Sequence, residues 1–457
     1  MIFLLSATYS IIQFSSIQTS LTQYFANNLS EKLNSKITIG SVDISFFSNL
    51  ILEDIYLEDQ NSDTLFFIEK LVANINSFSI DKKYVKINKI TLENSRVKFS
   101  KDSLSVLNLR FFIDSLKTEN KDTTLWQISC SDLEMSNSTF SYKSFNNEQK
   151  IQGINYNDIY ISNFSFSIND FETKNDSIIF RFSDLSLVDK SNFEINLLES
   201  SNIVTKNEII LNNLKIKTPF SELFANHYIM KFDSVINFHN FNENVKIIAS
   251  IERSNFGLTD LSMFSPKLHG IDQNVRIDGD FSGYISNFKV KNLNIEYGNT
   301  TKISLKCNIQ GLPDISNTFF YASVNQIVST KTDIESFNLP YFVKNRNISL
   351  TENLKTFGEI EYKGKISGFI YDFVSYGRLQ TDLGNLITDI SIKQDRQLEK
   401  VSFNGNFKTE DFKLASIFQN EKLPENASIN TKINGNYQKS AGIFAELDGS
   451  LKNIEFN

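Results

Sequence analysis

From Lys36 almost to Asn457, short stretches in which apolar and polar residues alternate follow one another with few interruptions. A period of two belongs to a strand with one face buried and the other wet, because successive side chains leave a pleated strand on opposite sides. A chain that repeats this pattern so often makes an extended sheet with one apolar face. That face must be covered by a partner or offered to an apolar cargo. The expected fold class is therefore mostly β: an elongated, curled, antiparallel-rich repeat sheet, forming an open trough and preceded by an N-terminal anchoring helix.

The segment KITIGSVDISFF carries Ile37 and Ile39, then Val42, Ile44 and Phe46. Its apolar face changes parity across Gly40 and Ser41, which a β-bulge would produce. Similar alternations recur as Val85 with Ile87, Ile159 with Ile161, Phe164 with Phe166 and Ile168, and Ile209 with Leu211. The apolar mass lies in residues that suit a pleated surface, with 41 Phe and 16 Tyr against 5 Pro and 4 Met. Breaks are expected near Pro219, Pro266 and Pro313.

Two segments share one face pattern. Val275, Ile277, Gly279, Phe281, Gly283 and Ile285 match Ile360, Tyr362, Gly364, Ile366, Gly368 and Ile370 at an offset of 85 residues. Weaker echoes follow in Phe403, Gly405 and Phe407, and in Ile433, Gly435 and Tyr437. The apolar members Val275, Ile277, Phe281, Ile285, Ile360, Tyr362, Ile366, Ile370, Phe403 and Phe407 are the candidate lining of a trough. Gly279, Gly283, Gly364 and Gly368 are candidate curvature residues, since a glycine on an apolar face relieves crowding where a sheet bends. The spacing is uneven, so the repeat is not a fixed-period solenoid.

The first thirty residues carry no charged side chain. Residues 2–14, IFLLSATYSIIQF, would extend only about 20 Å as a helix against a bilayer core of about 30 Å. They are taken as the outer part of an anchoring helix whose start is missing. Ile17, Leu21, Phe25, Leu29 and Leu33 continue as a stripe at intervals of four. The expected organisation is an anchor and amphipathic helix over 1–35, a first β region over 36–265, and continuing trough repeats over 266–457 that stop short of their full extent.

Chemistry has no positive signal. A net charge of −7 and a pI of about 5.3 argue against a nucleic-acid partner. His227, His239 and His269 lie in no metal-ligand spacing, and Cys130 and Cys307 stand far apart outside any CxxC pattern. No GxSxG elbow, P-loop or dinucleotide fingerprint occurs. The pair Asp278 and Asp280 alternates to the wet side of a strand, and LEDIYLED at 52–59 lacks the order of an EF-hand. The expectation is a protein that is not an enzyme and has no cofactor or metal site.

Three segments carry a family resemblance. They are KITIGSVDISFFSNLILEDIYLEDQNSDTLFFIEKLVANI at 36–75, GDFSGYISNFKVKNLNIEYGNTTKISLKCNIQGLPD at 279–314 and GEIEYKGKISGFIYDFVSYGRLQTDLGNL at 358–386. Together with the N-terminal stripe they resemble the AsmA-like superfamily, in particular its TamB group as it appears in Bacteroidota. The resemblance implies a single-span inner-membrane anchor and a periplasmic sheet curled like a taco around an apolar interior. It also implies phospholipid as cargo, moved toward the outer membrane as in bridge-like lipid transfer proteins. An outer-membrane barrel protein is an implied partner. Two other readings stay open: a scaffold for outer-membrane protein assembly, and a structural or adhesive β-repeat protein.

Overall fold

The computed structural model describes residues 15–45, 49–79, 81–116, 126–145, 153–234, 238, 240–265, 268–341, 347–350, 352–395, 400–418, 422, 424–438 and 442–455. The chain is mostly β and divides into two compact units, Met1–Pro219 and Phe220–Asn457. In each, a strand makes its extensive contacts with its ladder neighbours and not with a second layer of strands. Each ladder is open, since no pairing among the described residues joins its first strand to its last.

The first unit begins with helix α1 (Ser15–Leu33), followed by strands β1 (Ile37–Thr38), β2 (Ser41–Ser45), β3 (Asn49–Glu58), β4 (Thr64–Ser79) and β5 (Tyr84–Lys101). A short helix α2 (Arg110–Leu116) precedes β6 (Gln127–Ser144), β7 (Asp158–Lys174), β8 (Ser177–Asp189), β9 (Glu194–Ile195), β10 (Leu197–Val204) and β11 (Glu208–Lys217). Every pairing here is antiparallel except β5 with β6, which run parallel from Tyr84 opposite Gln127 to Lys101 opposite Ser144. The sheet is therefore mixed. Edge-on phenyl rings bridge this joint on the apolar face, with Phe99 5.7 Å from Phe140 and 6.0 Å from Phe66.

Helix α1 overturns the expectation of a single-pass, inner-membrane protein. No helix among the described residues is long and apolar enough to cross a membrane. Its sequence shows why, because Gln18, Thr19, Gln23, Asn27, Asn28 and Ser30 interrupt the apolar residues on every side. Gln18 and Thr19 are spent on strand β2: Ile44 donates its N–H to Gln18 Oε1 at 2.6 Å, and Val42 donates to Thr19 Oγ1 at 2.9 Å. Thus α1 caps the free edge of a short strand, a normal way to protect unpaired backbone groups. Of the stripe, Leu33 is buried and Leu29 is exposed. The apolar run at 2–14 and the side chains of Ile17, Leu21 and Phe25 lie outside the described residues.

The second unit contains β12 (Glu222–Lys231), α3 (Phe241–Asn244), β13 (Lys246–Gly257), α4 (Leu258–Phe264), β14 (Asn274–Tyr284), β15 (Asn287–Tyr297), β16 (Thr301–Gln310) and β17 (Phe319–Thr330). It continues through α5 (Lys331–Ser336), β18 (Glu359–Phe369), β19 (Asp372–Thr381), β20 (Gly384–Asp395), β21 (Lys400–Phe412), α6 (Leu414–Phe418), β22 (Asn426–Gln438) and β23 (Gly442–Glu455). From β12 to β23 each strand pairs antiparallel with the next. The short helices α4, α5 and α6 each follow the end of every fourth strand, so all three lie along one rim. Tight turns at Ile285–Ser286 and Ile370–Tyr371 lie along the other. The repeat seen in sequence is this module, since β14 and β18 are four strands apart.

Bulges explain part of the asparagine content. Asn94, Asn137, Asn163 and Asn292 all sit inside strands with φ between 51° and 52°, and the pairing register slips beside Asn137, Asn163 and Asn292. Asparagine tolerates the left-handed region better than other residues with a Cβ, so it can supply the extra residue of a bulge.

Candidate functional site

Residues directly opposite each other in an antiparallel pair project to the same face. Starting at Phe281, that rule runs through Val290, Cys307, Ala322 and Ile366, and on through Ser375, Ile390, Gly405, Ile433 and Leu447. A second row runs from Ile277 through Ile295, Ile303, Ile327, Tyr362, Leu379 and Leu386 to Thr409, Ile429 and Leu451. Both rows cross from β14 to β23 on one side of the sheet without a charged residue.

The sequence candidates fall on this face. Val275, Ile277 and Phe281 come from β14, Ile360, Tyr362 and Ile366 from β18, and Phe403 and Phe407 from β21. Val275 is buried, while Phe281, Ile366 and Phe407 are half-buried. Ile285 and Ile370 instead occupy the tight turns, and Ile370 is 46% exposed. Phe281 stacks on Phe288 of the next strand at 5.7 Å.

Glycines keep the floor of the face low. Gly283 and Gly368 have φ of 130° and 140°, which side-chain-bearing residues rarely adopt. Gly364 opposes Gly377 across β18 and β19, and the Tyr362 side chain lies over both. A Cβ built on Gly377 would stand 2.7 Å from that phenol. Gly279 lies against Leu293, which stands opposite it on β15.

Toward β23 the face deepens into a groove of about 620 Å³. Its floor alternates large and small residues in register: Leu386 opposes Thr409, Thr388 opposes Phe407, and Thr409 opposes Ile429. Thr431 then opposes Gly449, between the pairs Ile433–Leu447 and Ile429–Leu451. Its wall on the helix rim is built from Phe357, Phe412 and Leu414, with the Phe357 and Phe412 rings 6.3 Å apart. No lining residue is charged. Of the sequence candidates only Phe407 lines this groove; Leu386, Ile390, Ile429 and Ile433 were legible as alternation but carried no glycine to draw attention to them.

The helix rim is fixed by a buried carboxylate. Asp333, in the first turn of α5, accepts the N–H groups of Thr300 at 2.8 Å and Thr301 at 2.9 Å and the Thr300 hydroxyl at 2.7 Å. Burial alone would raise its pKa. Hydrogen bonds from the Thr300 hydroxyl and from the N–H groups of Thr300, Asn299 and Thr301 outweigh that and hold the carboxyl far below the usual carboxylate range. The helix is thereby tied to the β15–β16 turn, where Gly298 has a φ of 60°.

Other residues considered from sequence have structural partners. Asp278 accepts from the Asn294 amide at 2.8 Å and Asp280 from the Ser250 hydroxyl at 2.9 Å, both on the polar face. Asp59, at the end of 52–59, caps a turn by accepting the N–H groups of Asn61 and Asp63. His227 lies in β12 opposite Ser250, His269 accepts the Tyr341 N–H through its carbonyl, and His239 lies outside the described residues. Cys130 and Cys307 are free thiols whose pKa values burial pushes up. Among the described residues no cluster of three or more His, Cys, Asp or Glu is disposed to hold a metal ion.

What this arrangement can do is receive apolar material: it offers a continuous, uncharged face with a deepened end and no group placed for proton transfer or nucleophilic attack. No family model matches the chain, and neither a curated protein nor a solved structure matches it.

Proposed function

We propose that the second unit binds the acyl chains of lipids on its apolar face and lets them move along it. The observation that carries this reading is the groove of about 620 Å³, walled by aromatic and aliphatic side chains and continuous in register with the rows that begin at Phe281 and Ile277. An acyl chain of about fifteen methylenes in water costs on the order of 12 kcal/mol, at about 0.8 kcal/mol for each. Contact with such a face recovers much of that cost without a tight site, because apolar contacts have no preferred direction. Phospholipid as the particular cargo rests on the resemblance of the three segments to AsmA-like proteins.

The test is to purify the protein from membranes under native conditions and extract bound lipid. Lipid in at least equimolar amount supports the reading, as does its loss on Leu447→Asp or Leu451→Asp. A well-folded protein that carries no lipid and takes up none of a fluorescent phospholipid would overturn it.

A further inference from the structure

The outer face of the second unit carries an apolar patch at the rim opposite the short helices. Phe319 and Tyr321 of β17, Phe369 of β18, Ile370 of the following turn, and Val374 and Tyr376 of β19 are between 39% and 61% exposed. They are neighbours: Phe319 opposes Phe369 with rings 5.4 Å apart, Tyr321 and Val374 both oppose Ser367, and Tyr376 opposes Lys365. These residues stand where a wet strand face should be polar. Large exposed apolar groups clustered in this way mark a contact surface.

Cations frame the patch. Lys289 and Lys291 of β15, Lys306 of β16 and Lys365 of β18 are exposed on the same outer face and form no ion pair among the described residues. The nearest carboxylate on this rim, Asp372, is held by Lys393 at 3.2 Å. A local excess of positive charge in a chain of net charge −7 is matched to an anionic surface.

We propose that this patch is a contact surface for anionic lipid bilayers, with the Phe369–Ile370 turn entering the headgroup layer and the lysines meeting anionic headgroups. Aromatic rings with lysines behind them are the composition of a bilayer interface. Single-stranded nucleic acid would use the rings and lysines too, but it has no use for Ile370 and Val374, which offer no π face for stacking. The proposal does not depend on the groove, because none of these residues lines it.

The experiment is co-sedimentation of the full chain with phosphatidylcholine vesicles, with and without about a third phosphatidylglycerol. Binding should be strong only to the anionic vesicles and should weaken with salt. Lys306→Gln with Lys365→Gln should weaken it by about fivefold per lysine, and Phe369→Ser with Ile370→Ser should abolish it at unchanged melting temperature. Both variants should keep any lipid that co-purifies with the protein, which separates this surface from the groove. Equal binding to neutral and anionic vesicles, indifference to these substitutions, or preference for an oligonucleotide over vesicles would overturn the proposal.

Discussion

The phenol oxygen of Tyr362 lies 2.8 Å from the hydroxyl of Ser375 on the neighbouring strand, and its ring occupies the space above Gly364 and Gly377. The glycine pair and the tyrosine form one device: the missing side chains admit the ring, and the flattened ring replaces the area they would have covered. Replacing Gly377 by Ala should displace the ring and press on the Lys363 carbonyl, costing about 1–3 kcal/mol in chemical denaturation. A stability equal to wild type would show that the ring does not depend on the gap.

Asp333 gives the second unit an acid limit. Its folded pKa is depressed, so its contribution is present above the unfolded value of about 3.9 and is lost as pH falls below it toward the folded value. Thermal melts should show stability declining below about pH 4. Asp333→Asn should lower stability by about 2 kcal/mol at neutral pH and flatten that decline. An unchanged acid limb in the variant would assign the effect elsewhere.

The groove separates cargo from folding. Leu447 and Leu451 are 64% and 53% exposed, so Leu447→Asp and Leu451→Asp should each change stability by less than about 0.5 kcal/mol. Bound lipid should nevertheless fall severalfold, measured as phosphate per protein after extraction. Retention of lipid by both variants would move the cargo site away from β23.

At the parallel joint of the first unit, Ser138 Oγ accepts the Ser95 N–H at 3.1 Å and donates to the Ser136 carbonyl at 3.0 Å, with both serines buried. Ser138→Ala leaves a backbone donor unpaired and should cost about 1–3 kcal/mol by denaturant titration. Ser138→Thr, which keeps the hydroxyl, should recover part of the loss.

Asn137 holds a left-handed backbone, with φ of 51°, within β6. Asn137→Gly should be close to neutral, whereas Asn137→Val should cost about 1–2 kcal/mol. Equal stability for the two would mean that the bulge relaxes on substitution.

Much of this architecture is written in alternation. The matching faces of Val275–Gly283 and Ile360–Gly368 announced both the apolar side of the sheet and its four-strand repeat, because strand periodicity fixes which residues share a side. Direction is not encoded in that way: a period of two reads the same forwards and backwards, so the parallel pairing of β5 with β6 left no trace. Nor are α4, α5 and α6 visible, since elements of five to seven residues are too short to show a helical period. Asparagines such as Asn94 and Asn137 looked like wet-face residues, and only coordinates show them turning bulges. The N-terminal stripe misled because it counted leucines and ignored Gln18 and Thr19, whose side chains bind the edge of β2.

The helix after every fourth strand makes the length of the second unit a counted quantity. Adding or removing one full module of four strands would change the sheet by about 19 Å, at about 4.8 Å per strand, and leave every later side chain on its own side and every later helix on its own rim. Loss of a single strand would reverse the direction of all that follow and send the next helix to the opposite rim. Evolution of such a sheet can lengthen or shorten it only in whole steps, much as links are added to a chain.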